Sequence, residues 1–181
     1  MQGQGKPPKD DKWKAKYAEP AVPDTNRLPA LPEGWTWAIL GQLAHKITDG
    51  THSTPKYVNS GVPFISVNNI SDQGLIDFSK TKFITLEEHK ELYKRCDPSA
   101  GDVLLTKVGT VGLTAVVPEM SEFSLFVNTA LIKPIHPLLS SHYIAYILRS
   151  NFITKKYADL VGGSTQQFVG IAKIGTFTIQ L

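Results

Sequence analysis

The sequence is poor in cysteine and lacks long apolar runs. Cys96 is the single cysteine among 181 residues, so an internal disulfide and a zinc site built from cysteines are both excluded. A lone thiol is typical of proteins from reducing compartments. No run approaches the roughly 18 apolar residues that a membrane span needs, and the N-terminus has no apolar signal core. We therefore expect a soluble, cytoplasmic protein with no membrane partner.

The motifs of common enzyme classes are also missing. The sequence has no Walker-type loop, no Gly-x-Gly-x-x-Gly after a predicted strand, no His-Glu-x-x-His and no serine nucleophile elbow. The Asn/Asp-Pro-Pro-Tyr/Phe motif of amino-methyltransferases is absent too. His52 has no metal-ligand constellation around it, and Glu87 and Glu88 lie on a predicted solvated helix face. We therefore expect no catalytic residue, no cofactor and no metal site. The chain is typical of a binding protein.

What is present is a mildly basic chain long enough for one packed domain and a tail. The formal net charge of +3 permits a nucleic-acid partner without requiring one. Half of the 12 prolines lie in Met1–Pro32, together with a cluster of lysines between Lys6 and Lys16. This composition predicts a flexible, basic, proline-rich linker over residues 1–30. A single domain over residues 31–181 would begin at the apolar anchors Trp35 and Trp37.

Strand and helix patterns are mixed in the predicted domain. Thr85-Leu-Glu-Glu88 has the spacing of a capping box and predicts a helix to about Arg95. The apolar stripe of Ser140–Val161 changes face at Ser150-Asn151, which predicts two consecutive helices, the second ended by Gly162-Gly163. The remaining predicted elements are a helical or extended piece at Ala38–Ala44, a short helix at Val169–Ile174, and strands at Lys46–Asp49, Val62–Ile70, Leu75–Ile84, Phe123–Ile135 and Phe177–Ile179.

The stretch Gly101–Val117 is predicted to form a β-hairpin. Two runs rich in Val, Leu and Thr flank a connector that holds Lys107, Gly109 and Gly112. The glycines permit a tight turn whose bare N–H groups, together with the lysine, suit a phosphate. The alternative is a surface hairpin with a solvated lysine.

Three polar segments carry further candidates for binding. Asp49–Tyr57 combines an Asp-Gly turn signal with hydroxyls, His52 and Lys56. The amides of Asn68 and Asn69 can pair with adenine edges or cap a turn. A polar run, Ser164-Thr-Gln-Gln167, follows the second predicted helix.

Several of these landmarks occur in the order known from one family. They are Leu31-Pro-Glu-Gly-Trp35, Asp49-Gly-Thr-His52, the strand from Val62 that ends in Asn68-Asn69, Gly101-Asp-Val-Leu-Leu105 with Lys107 and Gly109, and Gly162-Gly-Ser-Thr-Gln166. Together they resemble a target recognition domain of the specificity (S) subunit of type I restriction-modification enzymes. The resemblance covers residues 31–181.

The resemblance implies a fold and a role. The expected fold is α+β, with a twisted, mainly antiparallel, barrel-like β-sheet and helices packed on one side. A full S subunit has two such domains separated by long coiled-coil helices. It reads a split sequence in double-stranded DNA for methyltransferase (M) and restriction (R) subunits, and it has no active site itself.

Direct readout in the major groove would need side chains that reach base edges, while lysines and backbone N–H groups would hold phosphates. The candidates for reading bases are Thr51, His52, Ser53, Lys56, Asn68, Asn69, Gln166 and Gln167. The candidates for phosphate contact are Lys107, Gly109, Thr110 and Ser164.

The chain departs from the family pattern in length. It has one predicted recognition domain and no long heptad helix, and it stops at Leu181. Its basic N-terminal segment resembles the region after a helical spacer, which favours a second rather than a first recognition domain. Two other functions remain open: the recognition part of a fused restriction-methyltransferase enzyme, and a protein-interaction module with no role in DNA binding.

Overall fold

The structure, a computed structural model, describes residues 22–119, 122–135, 139–161 and 168–181, and these contain nine β-strands and four α-helices. The strands are β1 (Trp37–Ile39), β2 (Ala44–Asp49), β3 (Val62–Ile65), β4 (Lys82–Ile84), β5 (Val103–Thr106), β6 (Thr114–Val116), β7 (Ser124–Leu125), β8 (Thr129–Pro134) and β9 (Thr178–Gln180). The α-helices are α1 (Leu86–Tyr93), α2 (Ser141–Leu148), α3 (Asn151–Val161) and α4 (Ile171–Gly175).

The central layer is a four-stranded sheet with the order β2-β8-β5-β6, and all of its pairs are antiparallel. Its two inner strands are buried on both faces. In β5, Val103 and Leu105 belong to one apolar core and Leu104 to a second core on the other face. Because successive side chains of a strand point to opposite faces, this double burial explains the unbroken apolar run of β5.

Two smaller sheets accompany the central one. β3 lies between β4, which is antiparallel to it, and β7, which is parallel to it. β1 and β9, the first and last described strands, pair antiparallel.

The helices α2, α3 and α4 cover one face of the central sheet. Ile144, Leu148, Ile153 and Ile174 share the first core with the sheet residues. Helices α2 and α3 each have a capping serine at the N-terminus, as the sequence predicts. Ser140 Oγ accepts a hydrogen bond from the amide of Tyr143 (3.3 Å), and the side chain of Ser150 caps α3 in the same way.

Helix α1 belongs instead to the three-stranded sheet. Thr85 Oγ1 accepts a hydrogen bond from the amide of Glu88 (3.2 Å), which confirms the predicted helix start. The buried His89 of this helix shares a hydrogen bond with Ser124 of β7 (2.9 Å). The expectation that the helices lie on one side therefore holds for α2–α4 but not for α1.

The α+β class and the mainly antiparallel pairing are confirmed, and the details of three strands are corrected. The predicted strand Phe123–Ile135 is wrong as a single element, because a turn at 126–128 divides it into β7 and β8. The predicted strand Val62–Ile70 ends at Ile65 and continues as a 3-10 helix, Val67–Asn69. Of the predicted Leu75–Ile84, only β4 is a strand, and an isolated bridge joins Ile76 to Ile70.

Some predictions fall outside the described residues. These are most of the linker over residues 1–30, and the Gly162-Gly163 end of the second helix. Among the described residues, no helix combines the length and the apolar character needed to cross a membrane.

Candidate nucleic-acid interface

The connections of three strands emerge at one edge of the central sheet. β2 ends at Asp49, opposite Ala130 of β8, and β5 ends at Thr106, opposite Thr129 of β8. Antiparallel pairing in this register places the end of β2, the end of β5 and the start of β8 side by side. β3 ends close by, since Phe126 donates a backbone hydrogen bond to Ile65 (2.9 Å). We call this edge the loop rim; its segments are residues 50–57, 66–70, 107–113 and 126–128.

Gly50 shows why the Asp-Gly-Thr segment needs a glycine. A Cβ at this position would lie 1.9 Å from the carbonyl oxygen of Leu125, which is far inside any allowed contact. The next residue, Thr51, donates its amide to the same carbonyl (3.0 Å) and accepts a bond from Val127 (3.0 Å). The backbone of the first rim segment is therefore bound tightly to the turn that precedes β8.

The carboxylate of Asp49 is the electrostatic centre of the loop rim. The residue is 2% exposed, and three basic side chains surround it. Lys107 Nζ lies 3.2 Å from Oδ2, while Arg95 Nη2 lies 2.5 Å and His52 Nε2 3.6 Å from Oδ1. An unpaired buried charge is very costly, so Asp49 needs these partners. Its contacts therefore link the hairpin connector and the residues after α1 to the end of β2.

Lys107 does not lie where the sequence analysis placed it. The hairpin of β5 and β6 forms as predicted, but the lysine is 2% exposed, so both the solvated lysine and the exposed phosphate clamp are corrected. Its ammonium pairs with Asp49 and lies 4.8 Å from the ring centroid of Phe168. Its backbone donates to Asn128 (2.9 Å) and accepts from Val169 (2.9 Å). Lys107 therefore holds the rim together from inside.

The tip of that hairpin remains open to solvent. Gly109 and Thr110 are both exposed, and Gly109 has a positive φ of 77° with no atom within 4 Å of a built Cβ. These two phosphate candidates are accessible, although Lys107 is not.

The candidates of the first rim segment form a tight turn. Thr51 Oγ1 accepts from the amide of Ser53 (3.1 Å) and donates to the carbonyl of the same residue (3.2 Å). This local ring fixes the turn and presents His52, whose side chain is 63% exposed. Ser53 and Lys56 are exposed as well.

The two adjacent asparagines have different surroundings. Asn69 is 5% exposed; its Oδ1 accepts from the amide of Ser66 (3.0 Å) and its Nδ2 donates to the carbonyl of Asp77 (3.1 Å). Its amide is thus used inside the protein, so its position does not support base reading and favours the alternative role in a turn. Asn68 is exposed and makes no hydrogen bond to other described residues.

Three further candidates, Ser164, Gln166 and Gln167, lie outside the described residues. Phe168, which follows them, pairs with Val108 in an isolated bridge and so adjoins the loop rim.

Arg95 lies beside the loop rim, although no motif in the sequence predicts a role for it there. Its side chain is 53% exposed and is held by Asp49, while Nη2 also lies 3.4 Å from His52 Nε2. A fixed, partly exposed guanidinium is suited to a phosphate or to a guanine edge. The only signal in the sequence was an arginine after a predicted helix. Its proximity to Asp49, 46 positions away, is a property of the fold.

The described residues offer no sign of a metal centre. No group of three or more His, Cys, Asp or Glu side chains within them is placed to hold an ion. The loop rim thus combines exposed polar side chains, partly exposed basic groups and glycine backbone, on a framework of buried ion pairs.

These features agree with the comparison with known proteins. The family model described as "Type I restriction modification DNA specificity domain" matches residues 32–181. The chain therefore belongs to this family of DNA specificity domains. Comparison with the sequences of curated proteins returns no match.

Solved structures show the same fold. A chain of a type I R-M system, solved to explain its complex assembly and conformational transition, superposes with a TM-score of 0.55 at 19% identity over 86% of this chain. The HsdS subunit from Thermoanaerobacter tengcongensis gives 0.54 at 19% identity over 86%. The S subunit of a type I system from M. genitalium gives 0.54 at 15% identity over 84%. This chain spans only about a third of those chains, 36%, 35% and 36% respectively.

Proposed function

We propose that this chain is a target recognition domain of a type I S subunit and that it reads one half of a bipartite sequence in double-stranded DNA. The observation that carries the proposal is the loop rim, where exposed polar and basic side chains from separate segments meet at one edge of the fold. The chain supplies no catalytic residue in this proposal. M and R subunits in the cytoplasm act on the sequence that the S subunit selects.

Base reading falls to the exposed polar side chains of the rim. His52, Ser53, Lys56 and Asn68 are accessible. Each has hydrogen-bonding groups that suit base edges in the major groove, where every base pair presents its own pattern. Gln166 and Gln167 remain further candidates for base reading. Thr51 contributes mainly through its turn, since its hydroxyl is bonded to Ser53.

Phosphate contact falls to groups that position the duplex without reading it. The exposed backbone at Gly109 and Thr110 provides N–H groups, and Arg95 provides a guanidinium. Ser164 is a further hydroxyl candidate. Lys107 acts indirectly, since its ammonium holds Asp49 and thereby the segment that carries His52.

The buried ion pairs support a binding role for the first rim segment, because they hold it in one conformation. A binding loop that is ordered before it meets its partner loses less conformational entropy on binding. The contacts of Gly50 and Asp49 order the first rim segment in the absence of DNA.

The test is to place this chain as one recognition domain of a complete S subunit, with its M partners, and to sequence the methylated sites of a host genome. His52→Ala, Asn68→Ala and the double change Gln166→Ala with Gln167→Ala should each relax or abolish one half-site. A lost bidentate contact reduces discrimination by roughly 1–3 kcal/mol, about ten- to a hundredfold.

The control variants are Asn26→Ala and Lys90→Ala, both exposed and outside the loop rim. They should leave the methylated sequence and its efficiency unchanged. If the rim variants also left both unchanged, base reading by these segments would be refuted. In every variant, we expect the requirement for the other half-site to stay unchanged.

A further inference from the structure

A cavity of about 240 Å³ opens beside the loop rim. Its walls come from the rim segments, from β3, and from β4 with the residues just before it. They carry aromatic rings, carboxamides and two lysines, and no lining residue is acidic. The principal lining residues are Tyr57, Phe126, Asn68, Asn128, Lys80 and Lys82.

The aromatic side of the cavity is a fixed platform. Tyr57 is 38% exposed and packs edge-on against Phe64, with ring centroids 5.9 Å apart. Phe64 in turn lies 6.0 Å from the ring of Phe126. Lys82 Nζ lies 4.2 Å from the centroid of the Tyr57 ring. An exposed ring held in this way is suited to stack against a flat partner.

The polar side of the cavity has accessible hydrogen-bonding groups. Asn68 makes no hydrogen bond within the described residues. Asn128 Oδ1 accepts from the amide of Val67 (3.1 Å) and from the hydroxyl of Thr129 (3.2 Å), which orients its Nδ2 donor. Lys80 is exposed. The cavity thus has donors and positive charge beside an aromatic wall.

We propose that this cavity binds one unstacked nucleotide of the DNA, with its base against Tyr57 and Phe126 and its phosphate held by Lys80 and Lys82. The inference rests on the proposed function. Asn68 and Asn128 belong to the loop rim, so a duplex bound there passes the mouth of the cavity. The volume is below the roughly 300–1,000 Å³ of pockets for drug-sized ligands, which matches a single base rather than a larger group.

The chemistry of the walls argues against other ligands. A purely apolar ligand would cover the carboxamide of Asn68 and the Nδ2 donor of Asn128 without offering them hydrogen bonds, and a cation would meet two ammonium groups with no carboxylate. A nucleotide satisfies both sides, since it has a flat face, hydrogen-bonding edges and an anionic phosphate.

The experiment compares two duplexes of the same arbitrary sequence, one fully paired and one with a single unpaired 2-aminopurine nucleotide. A bulged nucleotide has already lost its pairing, so a site for an unstacked base should favour it. We expect the chain to bind the bulged duplex about tenfold more tightly in fluorescence anisotropy. The 2-aminopurine emission should fall as the base stacks on Tyr57.

Two variants locate the effect, and two others control for it. Tyr57→Leu should abolish the quenching and most of the preference, and Lys80→Gln should weaken binding of the bulged duplex about fivefold. Asn26→Ala and Lys90→Gln, at exposed positions away from the cavity, should change neither. Circular dichroism checks that each variant is folded.

The outcomes separate this inference from the proposed function. Equal affinity for the two duplexes, or a preference that survives both cavity variants, would overturn the nucleotide site and leave the recognition role intact. Absence of binding to either duplex at low salt would overturn both.

Discussion

At the scale of single residues, Asp49 and Lys107 are a buried pair on which the loop rim depends. Their side chains are 3% and 2% exposed. Asp49→Asn would leave the Lys107 ammonium buried without its counter-charge. Breaking a buried pair from one side costs about 3–5 kcal/mol, so we expect a loss of unfolding free energy of that order in urea denaturation.

The double variant Asp49→Asn with Lys107→Met is the control for that prediction. Removing both charges should recover much of the lost stability, because the one cation left without Asp49, Arg95, is about half exposed to solvent. If the double variant were as unstable as the sum of the two single changes, the two side chains would not be coupled. The same cycle predicts that Lys107→Ala lowers stability, in addition to any effect on DNA binding.

Cys96 is a second residue whose burial has a measurable consequence. Burial raises the pKa of its thiol from 9.0 to about 12. In the unfolded chain the thiol ionises first, so the native state holds the proton longer and stability falls as the pH rises from 9 towards 12. The contribution is at most about 1.4 kcal/mol per pH unit.

Urea titrations at several pH values give the unfolding free energy as a function of pH. The decrease caused by Cys96 should appear as a difference between the parent and Cys96→Ala. The variant cannot ionise at this position, so its stability should fall less steeply between pH 9 and pH 11. Parallel pH profiles for the two proteins would contradict the prediction.

At the scale of elements, Gly50 and Gly109 provide a matched comparison within the loop rim. Gly50→Ala would place a Cβ 1.9 Å from a backbone oxygen, whereas Gly109→Ala meets only the cost of a positive φ of 77°. We expect the second change to cost about 1–2 kcal/mol and the first to cost more than that. Thermal unfolding measures both; equal losses would show that the approach at Gly50 relaxes easily.

The elements that the sequence predicted well are those with local signals. The start of α1 follows from Thr85 and Glu88, and the division of α2 from α3 follows from the stripe that changes face at Ser150. The hairpin of β5 and β6 has strand formers on both sides of its glycines. In each case the decisive contacts lie within a few positions along the chain.

The errors have a non-local cause. Leu125 of β7 is followed by the apolar Phe126 and Val127, so the strand-like pattern continues without a visible break towards β8. The turn is fixed instead by partners far along the chain: Val127 donates to Thr51, and Asn128 Oδ1 accepts from Val67, 61 positions away. The burial of Asn69 and Lys107 has the same kind of cause. Both residues are polar, so their burial depends on the assembled core and not on neighbours in the sequence.

At the scale of the whole molecule, the topology makes one surface out of distant segments. The motifs indicated the recognition family and the separate segments that we propose for DNA contact. They did not show that Arg95, Lys80 and Lys82 stand beside those segments, because Arg95 follows α1, Lys82 begins β4 and Lys80 precedes it. The sheet register and the buried Asp49 network bring them together.

This arrangement predicts how DNA binding depends on salt. The described rim and its cavity present four lysine or arginine side chains with exposed groups, Lys56, Lys80, Lys82 and Arg95. Each phosphate neutralised changes the slope of log K against log salt by about −0.9, so their joint contribution is at most about −3.6. We expect Arg95→Ala to reduce the slope by about one for cognate and random duplexes alike, if the guanidinium holds a phosphate.

Lys94→Ala is the matched control for that change. It removes a neighbouring cation that is already paired with Glu91 at 2.7 Å and lies on exposed helix surface. Anisotropy titrations between 50 and 200 mM salt, a range over which phosphate contacts weaken steeply, should leave its slope close to that of the parent. An Arg95→Ala protein that loses affinity only for the cognate site would instead assign Arg95 to a base edge, because a base contact carries sequence information and a phosphate contact does not. Equal slopes and affinities for both variants and the parent would remove Arg95 from the interface.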